Sequence, residues 1–127
     1  MTQNELGWAA GFWEGEGSCN FYETQRKRGE KIYRSKRLYV TVTQIDKTPL
    51  VRLKRLFGGS ISKQLNNVAN RYGWKCRPIY RWAVGNELAR NFTKAIVQYV
   101  VGRRKQQQLK SAIKRDQTWI KGRWANH

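Results

Sequence analysis

Two carboxylates and the glycines around them are the part of this sequence best suited to chemistry. They stand in the stretch Glu14-Gly15-Glu16-Gly17, in a chain with only eight acidic residues among 127. Carboxylates near a helix C-terminus oppose the helix dipole, so helix stability is not their purpose there. The plain alternative is a pair of solvated helix-end charges. Composition closes off other catalytic chemistries. The only histidine is His127, and the only cysteines are Cys19 and Cys76. A Cys/His zinc site within one chain is excluded, as is a serine or cysteine nucleophile with a histidine base. Catalysis must rest on carboxylates, metal ions, Lys, Arg or Gln. Two isolated cysteines read as small buried residues and fit a reducing, intracellular setting.

Charge points to the partner. Lysine and arginine number 26, giving a net charge of +18. A compact domain so charged repels itself unless a polyanion neutralises it. Nucleic acid leads, with its dense line of phosphates, and an anionic membrane surface is the rival. No run of about 18 apolar residues exists, and the N-terminus lacks a basic-then-apolar signal pattern. The hydrophobic fraction is 39%, with six Trp, six Tyr and four Phe. That suffices for one folded domain over residues 1–127.

The elements that must hold Glu14 and Glu16 follow from periodicity. Asn4 to Trp13 reads as a helix capped by Asn4, apolar nearly all round and ended by Gly15-Glu16-Gly17. Ser18 to Arg26 alternates as a strand, with Cys19 and Phe21 on one face. Arg28 to Lys31 is a hairpin turn, and Ile32 to Gln44 a longer strand with Leu38, Val40 and Val42 inward. Asp46 or Thr48 caps a helix to Phe57, striped by Leu50, Leu53, Leu56 and Phe57. After the Gly58-Gly59 break come a strand over Ser60 to Leu65 and a polar loop over Asn66 to Arg77 carrying Trp74. A fourth strand spans Ile79 to Val84. Helices follow over Glu87 to Val101, with Leu88, Phe92, Ile96 and Tyr99 or Val100 inward, then Arg103 to Arg115 and Trp119 to Trp124.

The order α-β-β-α-β-β-α-α predicts an α+β fold: a four-stranded antiparallel sheet with helices on one face and extra C-terminal helices. The other face is unusual. Strand parity puts Asn20, Tyr22, Thr24 and Arg26 there from the first strand, and Tyr33, Ser35, Arg37, Tyr39 and Thr41 from the second. Ser60, Ser62 and Gln64 join them from the third strand and Arg81 from the fourth. Such a face can lie along a major groove, where Arg reads guanine and Asn or Gln reads adenine. A merely solvated sheet face also alternates.

The segment Ala9-Ala10-Gly11-Phe12-Trp13-Glu14-Gly15-Glu16-Gly17 resembles the LAGLIDADG motif of homing endonucleases position for position, with Glu at both acidic positions. The resemblance implies an αββαββα-type fold with a saddle-like sheet and a metal-dependent double-strand DNA endonuclease. With one motif only, it implies a homodimer on a pseudo-palindromic site. Ala9, Ala10 and Gly11 have little side chain, so two such helices can approach closely. Trp8, Ala9, Ala10, Gly11, Trp13 and Glu14 are then the expected dimer contacts.

Close approach brings two Glu16 carboxylates together, where they repel until Mg²⁺ (or Mn²⁺) binds between them. Gly15 is expected to offer a carbonyl ligand, and Gly17 to let the chain turn sharply into the first strand. Tyr39-Val40-Thr41-Val42-Thr43-Gln44 resembles the end of the family's second strand, which makes Gln44 the group that orients a water; a strand-end hydrogen bond is the alternative. Val101 to Leu109 resembles the segment that brings a basic residue to the cut phosphate, which selects Arg103 and Lys105. The Asn66 to Arg77 loop is expected to touch flanking DNA. Two other readings stay open: a cleavage-dead relative acting as an RNA-splicing maturase or DNA-binding regulator, and a basic RNA-binding structural protein.

Overall fold

The structure, a computed structural model, describes residues 1–65 and 78–125. Helix α1 runs from Gln3 to Glu16. It starts one residue before the expected cap, because Thr2 and not Asn4 caps it. The Thr2 hydroxyl accepts the Glu5 N–H at 3.1 Å while the Glu5 carboxylate accepts the Thr2 N–H at 2.9 Å. This reciprocal box satisfies two helix-start donors. The hydrogen bond from the Thr2 backbone, then that from its side chain, holds the Glu5 carboxyl below the usual carboxylate range. The helix also runs on past Trp13 to Glu16, despite Gly15. Trp13 is fully buried and its indole N–H donates to the Ser18 carbonyl at 3.2 Å, which anchors the last turn.

Strands β1 (Gly17–Arg28) and β2 (Lys31–Gln44) form a long antiparallel hairpin, in register from Gly17 with Val42 to Arg28 with Lys31. Gly29 turns it in the left-handed region at φ 61°. Helix α2 (Lys47–Phe57) is capped by Asp46, whose carboxylate accepts the Thr48 N–H at 3.0 Å. Gly58 and Gly59 follow at φ 78° and 96°, and a Cβ on Gly59 would lie 2.6 Å from the Ala83 carbonyl. Glycine is therefore required by backbone conformation and by space. Strand β3 (Ser60–Leu65) spans the expected residues, and β4 (Pro78–Gly85) is one residue longer at each end. The expected loop from Asn66 to Arg77, with Trp74 and Cys76, lies outside the described residues.

The sheet order is β1-β2-β4-β3, with every neighbouring pair antiparallel. Cys19, Phe21, Leu38, Val40, Val42, Trp82 and Val84 are buried, so one sheet face carries the core and the helices cover it. Trp13, Trp82 and Phe92 are its largest members. Phe92 meets Trp82 and Phe57 edge-on, with ring centroids at 5.1 and 4.8 Å. The Trp82 N–H donates to the Gly58 carbonyl at 2.9 Å, so this large ring buries its area without an unpaired donor.

The C-terminal half departs from expectation in two places. Helix α3 (Glu87–Ile96) passes into a 3-10 turn, Val97–Tyr99, instead of continuing to Val101. Its inward residues are Ala89, Phe92, Thr93 and Ile96, whereas Leu88 is 41% exposed. The two expected terminal helices are one, α4 (Arg103–Ala125). Asp116, in the gap between the two expected helices, is buried against Arg90 of α3, Oδ2 to Nε at 2.7 Å, and the pairing offsets the cost of burying its charge. Among the described residues no helix is long and apolar enough to cross a membrane.

Candidate nucleic-acid interface and active site

The uncovered sheet face carries the residues that strand parity assigned to it. Register places them in cross-strand rows: Asn20 beside Tyr39, Tyr22 beside Arg37, Thr24 beside Ser35, and Arg26 beside Tyr33. Thr41 lies between Ser18 and Ala83, and Ala83 pairs on with Ser60. Arg81 lies between Thr43 and Ser62, and Gln64 faces Ile79. Several hydroxyls are already engaged: Ser18 with Thr41 at 2.9 Å, and Thr24 donating to the Ser35 carbonyl at 3.1 Å. Arg81 has its Nε buried without a hydrogen-bond partner among the described residues, an open donor at mid-sheet. Strand β4 meets β2 only from Tyr39 onward, so residues 22–37 form a two-stranded ribbon beyond the sheet. That ribbon carries Arg26, Lys27, Arg28, Lys31, Arg34, Lys36 and Arg37, nearly all exposed. A two-stranded ribbon of this kind fits the width of a major groove.

The second locus is where α1 ends. Glu16, in its last turn, and Gly15 are both exposed. The last carbonyls of a helix have no intrahelical partner. Trp13's is taken by the Gly17 N–H, which leaves the Gly15 carbonyl free of the helix ladder. Lys105 of α4 donates from its ammonium to the Gly17 carbonyl and stands 5.0 Å from the centre of the Trp13 ring. A positive charge therefore sits one residue from Glu16. Arg103 is exposed at the start of the same helix. Gln44 lies two residues beyond the Gly17–Val42 pair, level with the end of α1, on the parity of the helix-covered face. Its Oε1 accepts the N–H of Ile45 at 3.0 Å, which is the strand-end hydrogen bond.

Glu14 is placed differently from Glu16. One of its oxygens accepts the N–H groups of Val101 at 2.8 Å and Gly102 at 2.6 Å. It clamps the end of α1 to the start of α4, where a carboxylate also suits the helix dipole. Gly17 does not turn sharply: its backbone is extended at φ −107°. Glycine stands there because a Cβ would lie 2.8 Å from the Trp13 ring nitrogen and 2.9 Å from the Trp13 carbonyl.

The outward face of α1 also differs from the expected one. Ala9, Ala10 and Trp13 are fully buried in their own chain, so they have no surface to offer a partner, and Glu14 is spent on its clamp. The exposed small residues are Gly7, Gly11 and Gly15, spaced four apart, and a Cβ on any of them would meet nothing within 4 Å. Trp8 is half-buried beside them, stacked on Phe12 at 5.5 Å and covered by Arg52 at 4.2 Å. Gly7 was missed because it lies outside the motif, although its i, i+4, i+8 spacing with Gly11 and Gly15 was there to find.

No protein-family model matches the chain, and no curated protein does. Solved structures do. The homing endonuclease I-CvuI, in complex with the I-CreI target in the presence of Mg and with its DNA not cleaved, superposes with a TM-score of 0.70 at 18% identity, covering 91% of this chain and 67% of that one. The archaeal intron-encoded homing endonuclease I-Vdi141I, complexed with DNA, gives 0.61 at 17% identity, covering 94% and 70%. The group I intron-encoded I-CeuI, also complexed with DNA, gives 0.62 at 18%, covering 94% and 57%. The chain thus has the homing-endonuclease fold, as the Ala9 to Gly17 segment led us to expect.

Proposed function

We propose that the chain is one subunit of a homodimeric LAGLIDADG endonuclease that cuts both strands of a long pseudo-palindromic DNA site with Mg²⁺ or Mn²⁺. One observation carries this reading: Glu16 is exposed at the end of α1 that holds the outward glycine row, with Lys105 on the carbonyl of the next residue, Gly17. The fold's likeness to endonucleases solved on DNA supports it, as do the polar sheet face and the +18 charge.

The donors suit a hard cation, since the Glu16 carboxylate and the Gly15 carbonyl are both oxygen ligands. Among the described residues no cluster of three or more His, Cys, Asp or Glu side chains exists. A full ligand set would therefore need groups from outside the chain, and the twin Glu16 and DNA phosphate oxygens would supply them. When bound, the metal makes water a better nucleophile and neutralises charge at the phosphate. Glu16 would hold that centre, Gln44, with its Oε1 already on the Ile45 N–H, would orient the attacking water through its amide nitrogen, and Lys105 and Arg103 would put positive charge beside the phosphate as negative charge builds there. The open sheet face and the ribbon hold the duplex.

The test is incubation with a library of duplex sites and Mg²⁺, scoring double-strand breaks with and without chelator. Breaks at a shared site that vanish on chelation are expected. Binding without any cutting in Mg²⁺ or Mn²⁺ would contradict the proposal.

A further inference from the structure

Gly85 ends β4 opposite Tyr39. A Cβ built on it would lie 2.6 Å from Arg37 Nε and 2.8 Å from Arg37 Cζ. The Arg37 guanidinium therefore lies directly over the backbone of Gly85, in space only glycine leaves open. It also stands 5.2 Å from the centre of the Tyr39 ring, which itself meets Tyr22 edge-on at 6.0 Å. The floor of this slot is fixed. The next residue, Asn86, donates its N–H to the Leu38 carbonyl at 2.9 Å, between Arg37 and Tyr39 in sequence. Arg37 remains exposed and borders a hollow of about 420 Å³ on the open face, with Thr24, Arg26, Tyr33, Ser35 and Asn86.

From this geometry we infer that Arg37 reads one guanine in each half-site, and that Gly85 is a positioning residue which sets its guanidinium for that contact. The inference rests on the endonuclease reading, since its ligand is duplex DNA. Guanine presents two acceptors, O6 and N7, to the major groove, and a planar guanidinium matches them with two donors. A guanidinium already seated against a backbone and a ring has less freedom to lose on binding, so the contact discriminates more sharply than one from a loose side chain.

The experiment is selection of bound duplexes from a randomised library by wild type, Gly85→Ala, Arg37→Lys and the double variant Gly85→Ala/Arg37→Lys, with thermal melts of each. Wild type is expected to enrich guanine at one position per half-site. Gly85→Ala and Arg37→Lys are each expected to lower that preference by about tenfold, leaving other positions and the melting temperature unchanged. The double variant is expected to resemble Arg37→Lys alone, because Gly85 acts only through Arg37. An unchanged profile in Gly85→Ala overturns the inference and leaves the endonuclease reading standing. So does a Gly85→Ala profile that degrades at every position or melts early, which would mark a purely structural glycine. Failure of wild type to enrich any duplex overturns both.

Discussion

Glu14 and Glu16 stand two residues apart and do separate work. Glu14 is spent on two backbone N–H groups, whereas Glu16 faces solvent at the helix end. The motif showed that both carboxylates matter, but not which was structural, because that depends on where Val101 and Gly102 return in space. Replacing Glu14 with Gln keeps the shape and removes the charge. We expect a loss of about 1–2 kcal/mol in stability, read by denaturant melts, because hydrogen bonds to a charged group are the stronger kind and this one is only partly buried. Cys19 gives a pH prediction. Burial first, then the nearby Asp116 charge, pushes its thiol from the usual 9.0 up to about 12, against the opposing pull of Lys105. The folded-state value is raised, so the thiol favours folding below about pH 9 and that contribution is lost as pH rises toward 12. At pH 8.5 the native protein should leave Cys19 unalkylated in peptide mapping, and unfolding should expose it; rapid labelling of the native chain would contradict its burial.

At the scale of elements, the strands were more legible than the helix ends. Alternation in Cys19, Phe21, Leu38, Val40, Val42, Trp82 and Val84 marks one buried face, since only period two satisfies both a core and an open side. Helix boundaries depended on contacts distant in sequence. Leu88 looked inward by spacing alone, and the helix runs on through Asp116, whose partner Arg90 is 26 residues away in sequence. Arg90→Ala should cost roughly 3 kcal/mol by chemical denaturation, because it leaves a buried carboxylate uncompensated. Arg90 keeps some solvent contact, which puts the effect at the lower end for such pairs. A loss under about 0.5 kcal/mol would mean that Asp116 is neutral or hydrated in the folded chain.

At the scale of the molecule, the fold, the basic charge and the polar sheet face all read correctly from sequence, because each is a property of many residues together. The outward face of α1 did not. The motif's Ala9 and Ala10 turn inward to fill the core, and the glycines four apart turn outward. Gly11→Trp should therefore leave the single chain folded, since a side chain there meets nothing of its own, while sedimentation shows a monomer in place of a dimer. A Gly11→Trp variant that sediments as wild type does would contradict a dimer contact on this face. The proposed role of Glu16 in metal-dependent cutting comes down to a comparison of wild type and Glu16→Gln on a selected site in Mg²⁺, with binding and strand breaks measured on the same samples. Glu16→Gln should bind as wild type does and cut about 100-fold more slowly or worse; cutting at the wild-type rate would take the chemistry away from Glu16.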